Sequence, residues 1–221
     1  MGSLQTKEQR ITTIFFDIGN VLVAWDWTHC HAELARLSGK SVSELEEVFW
    51  GAGEGDPAGV EHLYGTGLVT TDEFVELVRK RVASCLAREH FERLWNGIFT
   101  PIRPMLELVE RLKRAGLRLI IISNTNELHF TYEYGAFPAL SRFDDFVLSY
   151  EIGACKPDDR IWRAALAKAA TPSEACLFVD DYPVNVEAFY TRFGVKGFVY
   201  EQENHAALEA FLRDHGVVRD Q

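Results

Sequence analysis

The chain has 221 residues, 47% hydrophobic and 25% charged, enough apolar material for one full core and a small second module. A formal charge of −10 argues against nucleic acid as the main partner, because a phosphate backbone needs a basic surface. A small anionic substrate stays allowed, provided local cations at its site offset the general repulsion.

No apolar run approaches the roughly 20 residues that span a bilayer, and no secretory signal opens the chain. Cys30, Cys85, Cys155 and Cys176 form no Cys-x-x-Cys pair, so reduced thiols and a cytoplasmic address are expected. Met1-Gly2 with Thr6 fits the outline of a myristoylation signal, for which an ordinary terminus is the simpler reading.

Residues 11–16 (ITTIFF) form a β-branched and aromatic run that stops at Asp17, which predicts a buried strand. From about residue 28 to 99 the pattern turns helical. Ser41 with Glu44 and Thr70 with Glu73 are capping-box starts, each followed by an apolar stripe. Residues 51–59 are a glycine-rich break; Gly51, Gly53 and Gly55 follow no strand, which rules against a dinucleotide loop. Beyond Pro101, Met105, Leu108, Val109 and Leu112 share one helical face, and Gly116 ends that helix. Residues 117–122 (LRLIII) predict a fully buried strand. Further strands fall at 146–149, 176–179 and 197–200, with helices at about 158–170 and 206–211. This alternation predicts a three-layer α/β fold with a parallel, Rossmann-like sheet, into which the helical block is inserted after the first strand.

Ligands in open α/β sheets sit beyond the carboxyl ends of the strands. Phe16 runs into Asp17, Ile122 into Ser123-Asn124 and Val179 into Asp180-Asp181, while Lys156 stands in a loop after a fourth strand. Each alone has a bland reading, since Asp ends strands, Ser and Asn cap helices, and a lysine before Pro157 is ordinarily solvated. Together they would meet in one cleft. Three carboxylates there repel one another unless a cation sits among them, and hard oxygen donors suit Mg²⁺. A carboxylate, a metal, a hydroxyl and a lysine around one point are the parts that phosphoryl transfer needs.

The ordered set Phe16-Asp17-Ile18-Gly19-Asn20-Val21-Leu22, Ser123-Asn124, Lys156-Pro157-Asp158 and Asp180-Asp181 resembles the four motifs of the haloacid dehalogenase superfamily. Stretches 123–129 and 156–161 look most like the bacterial glucose-1-phosphate phosphatase branch. They are similar, more distantly, to the N-terminal phosphatase domain of soluble epoxide hydrolases. The resemblance covers 11–24 and 101–200 and hardly touches the insert. It implies a Mg²⁺-dependent phosphatase of small phosphorylated metabolites, such as glucose-1-phosphate, acting through an aspartyl-phosphate.

The same resemblance implies roles. Asp17 would be nucleophile and metal ligand, with the Gly19 carbonyl and Asp181 as further ligands and Asp180 acting through water or by orienting a ligand. Ser123 and the Asn124 amide would hold the phosphoryl oxygens. Lys156 would bridge nucleophile and phosphate, and Asn185 would support the acidic loop. Residues 1–24 and 101–221 would form the α/β core, and 25–100 a helical cap closing over the substrate. Trp25, Asp26 and His29 are candidate cap contacts; packing at the cap hinge is the bland reading for them and for Trp27 and His31. His129 either lines the pocket or covers a helix face. A monomer or weak homodimer is expected, with no nucleic acid or membrane partner.

Phosphatases of the superfamily usually carry a second Asp two residues after the nucleophile as general acid and base. Gly19 stands there, as it does in the glucose-1-phosphate phosphatase branch. A metal-independent dehalogenase would have no use for Asp180-Asp181, and a phosphomutase would need the acid that Gly19 lacks. A catalytically inactive binding protein has Gly19 alone in its favour.

Overall fold

Thr13–Phe16 (β1) is the middle strand of the sheet, and every one of its side chains is buried. The structure, a computed structural model, describes residues 10–52, 58–83 and 85–218. The Met1-Gly2 pattern with Thr6, and Gly53 and Gly55 of the glycine-rich break, lie outside the described residues.

After β1 the chain makes Val23–Trp25 (β2), then, among the described residues, five helices: Thr28–Ser38 (α1), Val42–Trp50 (α2), Val60–Gly65 (α3), Thr71–Arg81 (α4) and Arg88–Asn96 (α5). Phe99–Pro101 (β3) returns antiparallel to β2, pairing Trp25 with Phe99 and Val23 with Pro101. There follow Arg103–Arg114 (α6), Arg118–Ser123 (β4), Glu127–Ala136 (α7), Asp145–Leu148 (β5), Ser149–Ile152 (α8) and Asp159–Ala169 (α9). Cys176–Asp180 (β6), Pro183–Phe193 (α10), Lys196–Val199 (β7) and His205–Asp214 (α11) complete it.

The sheet runs β5-β4-β1-β6-β7, with every pair parallel, so the expected α/β fold is the one observed. Successive residues of β1 face opposite sides, as the pleat requires. Ile14 and Phe16 join Met105, Leu108 and Leu112 of α6 and Leu208 and Leu212 of α11. Phe15 joins Ile161, Trp162 and Ala165 of α9 and Phe189 of α10. The strand order reverses beside β1, which opens a crevice at its carboxyl end. Register does the rest. Phe16 pairs with Ile121 on one side and Val179 on the other, so Asp17, Ser123 and Asp180 end at nearly one level.

The five inserted helices have an apolar interior of their own, built on Leu34, Phe49, Tyr64, Phe74, Phe91 and Trp95. Both capping boxes form: Ser41 Oγ accepts from Glu44 N (3.2 Å) and Thr70 Oγ1 from Glu73 N (3.3 Å), and each glutamate returns the bond. Among the described residues no helix is long and apolar enough to cross a membrane.

Candidate active site

Asp17 leaves β1 with its N–H on Val179 O (2.9 Å) and its Oδ1 accepting from Ile18 N (2.8 Å). The chain then turns tightly, because Val21, Leu22 and Val23 all donate to Ile18 O. Asn20 takes the left-handed conformation (φ 51°) that asparagine tolerates better than most side chains. Its Nδ2 donates to Asp181 Oδ2 (3.1 Å), tying the β1 loop to the β6 loop. Trp25 folds back over this turn: its Nε1 and Cδ1 lie 3.5 and 3.6 Å from where a Cβ on Gly19 would stand.

Lys156 is the hub. Its Nζ lies 2.9 Å from Asp17 Oδ2 and 2.6 Å from Asp180 Oδ2, and its side chain is 1% exposed. A lone lysine before a proline is ordinarily solvated; register with the other motifs is what points this one to the cleft, where Asp17 and Asp180 flank it. Asn124 fixes the loop that carries it, accepting from Lys156 N (2.6 Å) and donating to Lys156 O (3.2 Å), beside a cis Lys156-Pro157 bond. The Asn124 side-chain amide is thereby committed to Lys156, so its main-chain N–H is the group left to offer an anion. Ser123 beside it is buried at the end of β4.

Asp180 is fully engaged, its Oδ1 accepting from Tyr182 N (2.8 Å) and Asn185 Nδ2 (3.0 Å). Asp181 is not: its Oδ1 is buried and meets no hydrogen-bond donor. One oxygen each from Asp17, Asp180 and Asp181 lie within 4.8 Å of one another. Three carboxylates thus face a single ammonium. Burial, opposed by Lys156 and reinforced by Asp180 and Asp181, pushes the Asp17 carboxyl up to about 7. Burial also raises Asp181. Burial alone would lower Lys156, but Asp17 and Asp180 overcome it and hold the ammonium above the ordinary lysine value. An orphaned buried oxygen and a surplus of close carboxylates fit a divalent cation held by hard oxygen donors.

The other expected residues separate. Asp26 is exposed and accepts from Thr28 N (2.8 Å); hydrogen bonds from Thr28 hold its carboxyl below the ordinary value, so it is an ionised acceptor. His29 is exposed on α1. Trp27 and His31 pack inside the insert, stacked at 5.7 Å, with Trp27 also 4.8 Å from Trp95. His129 is buried between Asn126 Nδ2 and Trp95 O, each at 3.2 Å, and stacks on Trp95. Burial pushes it down to about 3, so it is a neutral ring joining α7 to the insert. Sequence reasoning passes over Asn20, Ser149 and Glu133. Ser149 Oγ accepts from Thr125 N (2.9 Å) and reaches Gly65 O (2.6 Å). The available signals are the asparagine closing Asp-x-Gly-Asn and a glutamate on the His129 face of α7.

A family profile described as haloacid dehalogenase-like hydrolase matches residues 11–189. The chain belongs to that hydrolase family, and the expected assignment to hydrolases acting on phosphate esters stands with it. It is 29% identical over 225 residues to Phosphatase MT3486 of Mycobacterium tuberculosis (strain CDC 1551 / Oshkosh), covering 95% of this chain and 93% of that one. Among solved structures it is similar to the HAD family enzyme bt-2542 of Bacteroides thetaiotaomicron, in complex with magnesium and inorganic phosphate. That match has a TM-score of 0.76 and 23% identity, over 89% of this chain and 98% of the other. A predicted HAD-like family hydrolase from Porphyromonas gingivalis gives a TM-score of 0.75 at 24% identity, over 92% and 98%. Likenesses at these identities speak to the fold.

Proposed function

We propose that the chain is a Mg²⁺-dependent phosphatase of small phosphorylated metabolites, with sugar phosphates such as glucose-1-phosphate foremost, working through an aspartyl-phosphate on Asp17. One observation carries the reading: Lys156 bridges Asp17 and Asp180 beside the buried, partnerless oxygen of Asp181. Asp17, Asp181 and the Gly19 carbonyl would hold Mg²⁺, with Asp180 orienting the set. When bound, the cation supplies charge neutralisation for the phosphoryl oxygens. The magnesium and phosphate complex of the Bacteroides enzyme and the name of the mycobacterial relative support the same reading.

The side chains then divide the work. Lys156 offsets the repulsion between the Asp17 carboxylate and an incoming phosphoryl dianion. The Ser123 hydroxyl and the Asn124 main-chain N–H hold phosphoryl oxygens, while the Asn124 side chain keeps Lys156 in register. Asn185 fixes Asp180, which in turn fixes the ammonium. As the bond from Asp17 to phosphorus forms, the ester P–O bond breaks. Water then attacks phosphorus, which releases phosphate and restores the carboxylate. Residues 25–100 serve as the cap over residues 1–24 and 101–221.

Phosphate release from an aryl phosphate and a sugar-phosphate panel tests this. Turnover should need Mg²⁺, stop with EDTA, and vanish in Asp17→Asn without loss of fold. Dehalogenation surviving EDTA would favour the metal-independent dehalogenase, and tight binding without turnover an inactive binding protein.

A further inference from the structure

Gly19 is not glycine because its backbone demands it. Asn20 beside it carries the positive φ, and a Cβ on Gly19 would meet only ordinary contacts, at 3.5 Å to Trp25 Nε1 and 3.6 Å to Trp25 Cδ1. A methyl would fit there; a carboxyl would have to displace the indole. The volume that a side chain at residue 19 would use is therefore filled by Trp25, and the part that fills it includes the ring's one polar atom. That Nε1–H makes no hydrogen bond among the described residues.

Trp25 is also a poor packing residue. It is 43% exposed, standing at the lip of the turn, whereas Trp95 and Trp162 are wholly buried. Its backbone is fixed by pairing with Phe99 in the β2–β3 ribbon, which holds the residue beside the turn. Two residues upstream of Gly19, Asp17 is poised to attack. The oxygen leaving phosphorus departs on the side away from Asp17, and some group there must answer its growing negative charge. Among the other groups considered, Asp26 is exposed and accepts from Thr28, His29 is exposed on α1, His129 is bonded to Asn126 and Trp95, His31 lies within the insert, and Glu133 is enclosed on α7.

We propose that the Trp25 indole N–H donates a hydrogen bond to the leaving-group oxygen, in the space a side chain at residue 19 would occupy; it eases the departure of basic alcohols but gives up no proton, so esters of weakly basic alcohols stay favoured. This rests on the phosphatase reading. An indole N–H stabilises an oxyanion without giving up its proton. Asp17 gains the phosphoryl group, the ester oxygen leaves with the bonding pair as an oxyanion, and water protonates it, leaving hydroxide. That sequence is slow for basic alkoxides and fast for anomeric or aryl oxyanions. Glucose-1-phosphate should therefore be preferred to glucose-6-phosphate.

The test is kcat/KM for wild type and Trp25→Phe over phosphate esters of graded leaving-group pKa, from para-nitrophenyl to primary alkyl, with Mg²⁺ present. Phenylalanine keeps a ring and removes the N–H. The variant should lose about ten- to a hundredfold on alkyl esters, the worth of one hydrogen bond to a charged oxygen, and little on para-nitrophenyl phosphate. Its leaving-group dependence should steepen. Equal losses across the series, or none, would overturn the role of Trp25 and leave the phosphatase intact. No phosphate release by wild type on any ester would overturn the phosphatase reading and this proposal with it. Should Trp25→Phe melt far below wild type, Trp25→His and Trp25→Leu are compared instead. The imidazole keeps a ring N–H and should hold the dependence nearer to wild type than leucine does. Equal steepening in the two would overturn the proposal.

Discussion

Glu133 carries a carboxyl into the interior on the same face of α7 as His129, and its Oε2 finds no partner there. Burial, with the Asp17 charge adding to it, raises its pKa well above the ordinary 4.5. Between those two values the folded chain keeps a proton that the unfolded chain has lost. Stability from this group is thus complete below about pH 4.5 and falls as pH rises toward the folded value. Glu133→Gln has the shape of the neutral acid and no charge to lose. It should melt like wild type near pH 4.5 and increasingly above it toward about pH 8. Parallel melting curves at the two pH values would mean that Glu133 is ionised and paired in the fold. Such a residue is hard to read in sequence, where a lone glutamate in a helix is ordinarily solvated. Asn20 is hidden for a different reason: its partner Asp181 is 161 residues away. By contrast, Asp17 and the Asp180-Asp181 pair are legible because each abruptly ends an apolar run.

The end of β6 shows what an element does to two adjacent aspartates. Asp180 is the last residue of the strand, wholly buried, and accepts from Lys156, Tyr182 and Asn185. Asp181 is the first residue beyond it and keeps one oxygen free of donors. Identical in sequence, the two should fail differently. Asp180→Ala removes a partner from a buried ammonium and should cost about 2–4 kcal/mol of stability. Asp181→Ala removes a repelling carboxylate together with the Asn20 bond, so the metal-free protein should lose no more than about 1 kcal/mol, yet its response to Mg²⁺ should vanish. Melting curves with and without Mg²⁺ decide it. A Mg²⁺-induced rise in Tm that survives Asp181→Ala would remove Asp181 from the cation site. Periodicity makes β4 and α6 legible, and the two capping boxes mark α2 and α4. The β2–β3 ribbon is three residues on each side, too short for any period to show. The helix α10 hides behind the acidic pair: Pro183 marks an entry, but the exposed Val184 and Tyr190 blur the stripe of Val186, Phe189 and Phe193.

At the scale of the whole molecule the insert is attached by the β2–β3 ribbon, by His129 of α7 on Trp95, and through its far side. There Tyr64 Oη accepts from Leu128 N (3.0 Å), Thr71 bonds Glu127, and Ser149 Oγ reaches Gly65 O. The residues joined to the insert follow directly on Ser123-Asn124 or carry the start of α8. Movement of the insert therefore acts on the segment that would hold phosphate. Nothing in the helical texture of residues 28–99 announces this far attachment, because it is made by side chains meeting across the fold. Gly67 is its tightest point, with φ 68° and a position where a Cβ would stand 2.1 Å from Tyr150 O. Gly116 offers the control, since it has φ 82° and nothing within 4 Å of its would-be Cβ. Gly116→Ala should cost only the left-handed strain of one residue, about 1 kcal/mol. Gly67→Ala adds a backbone collision that no rotamer relieves, so it should cost about 1–3 kcal/mol more and lift the insert from α8. Amide exchange should then quicken in residues 60–71 and 125–153 while β1, β4 and β6 stay protected. If residues 25–100 act as a cap, kcat/KM should fall more for a sugar phosphate than for a small aryl phosphate, whose binding asks less of it. Equal stability losses for the two alanine variants would show that the insert yields at this contact and that its other attachments hold it.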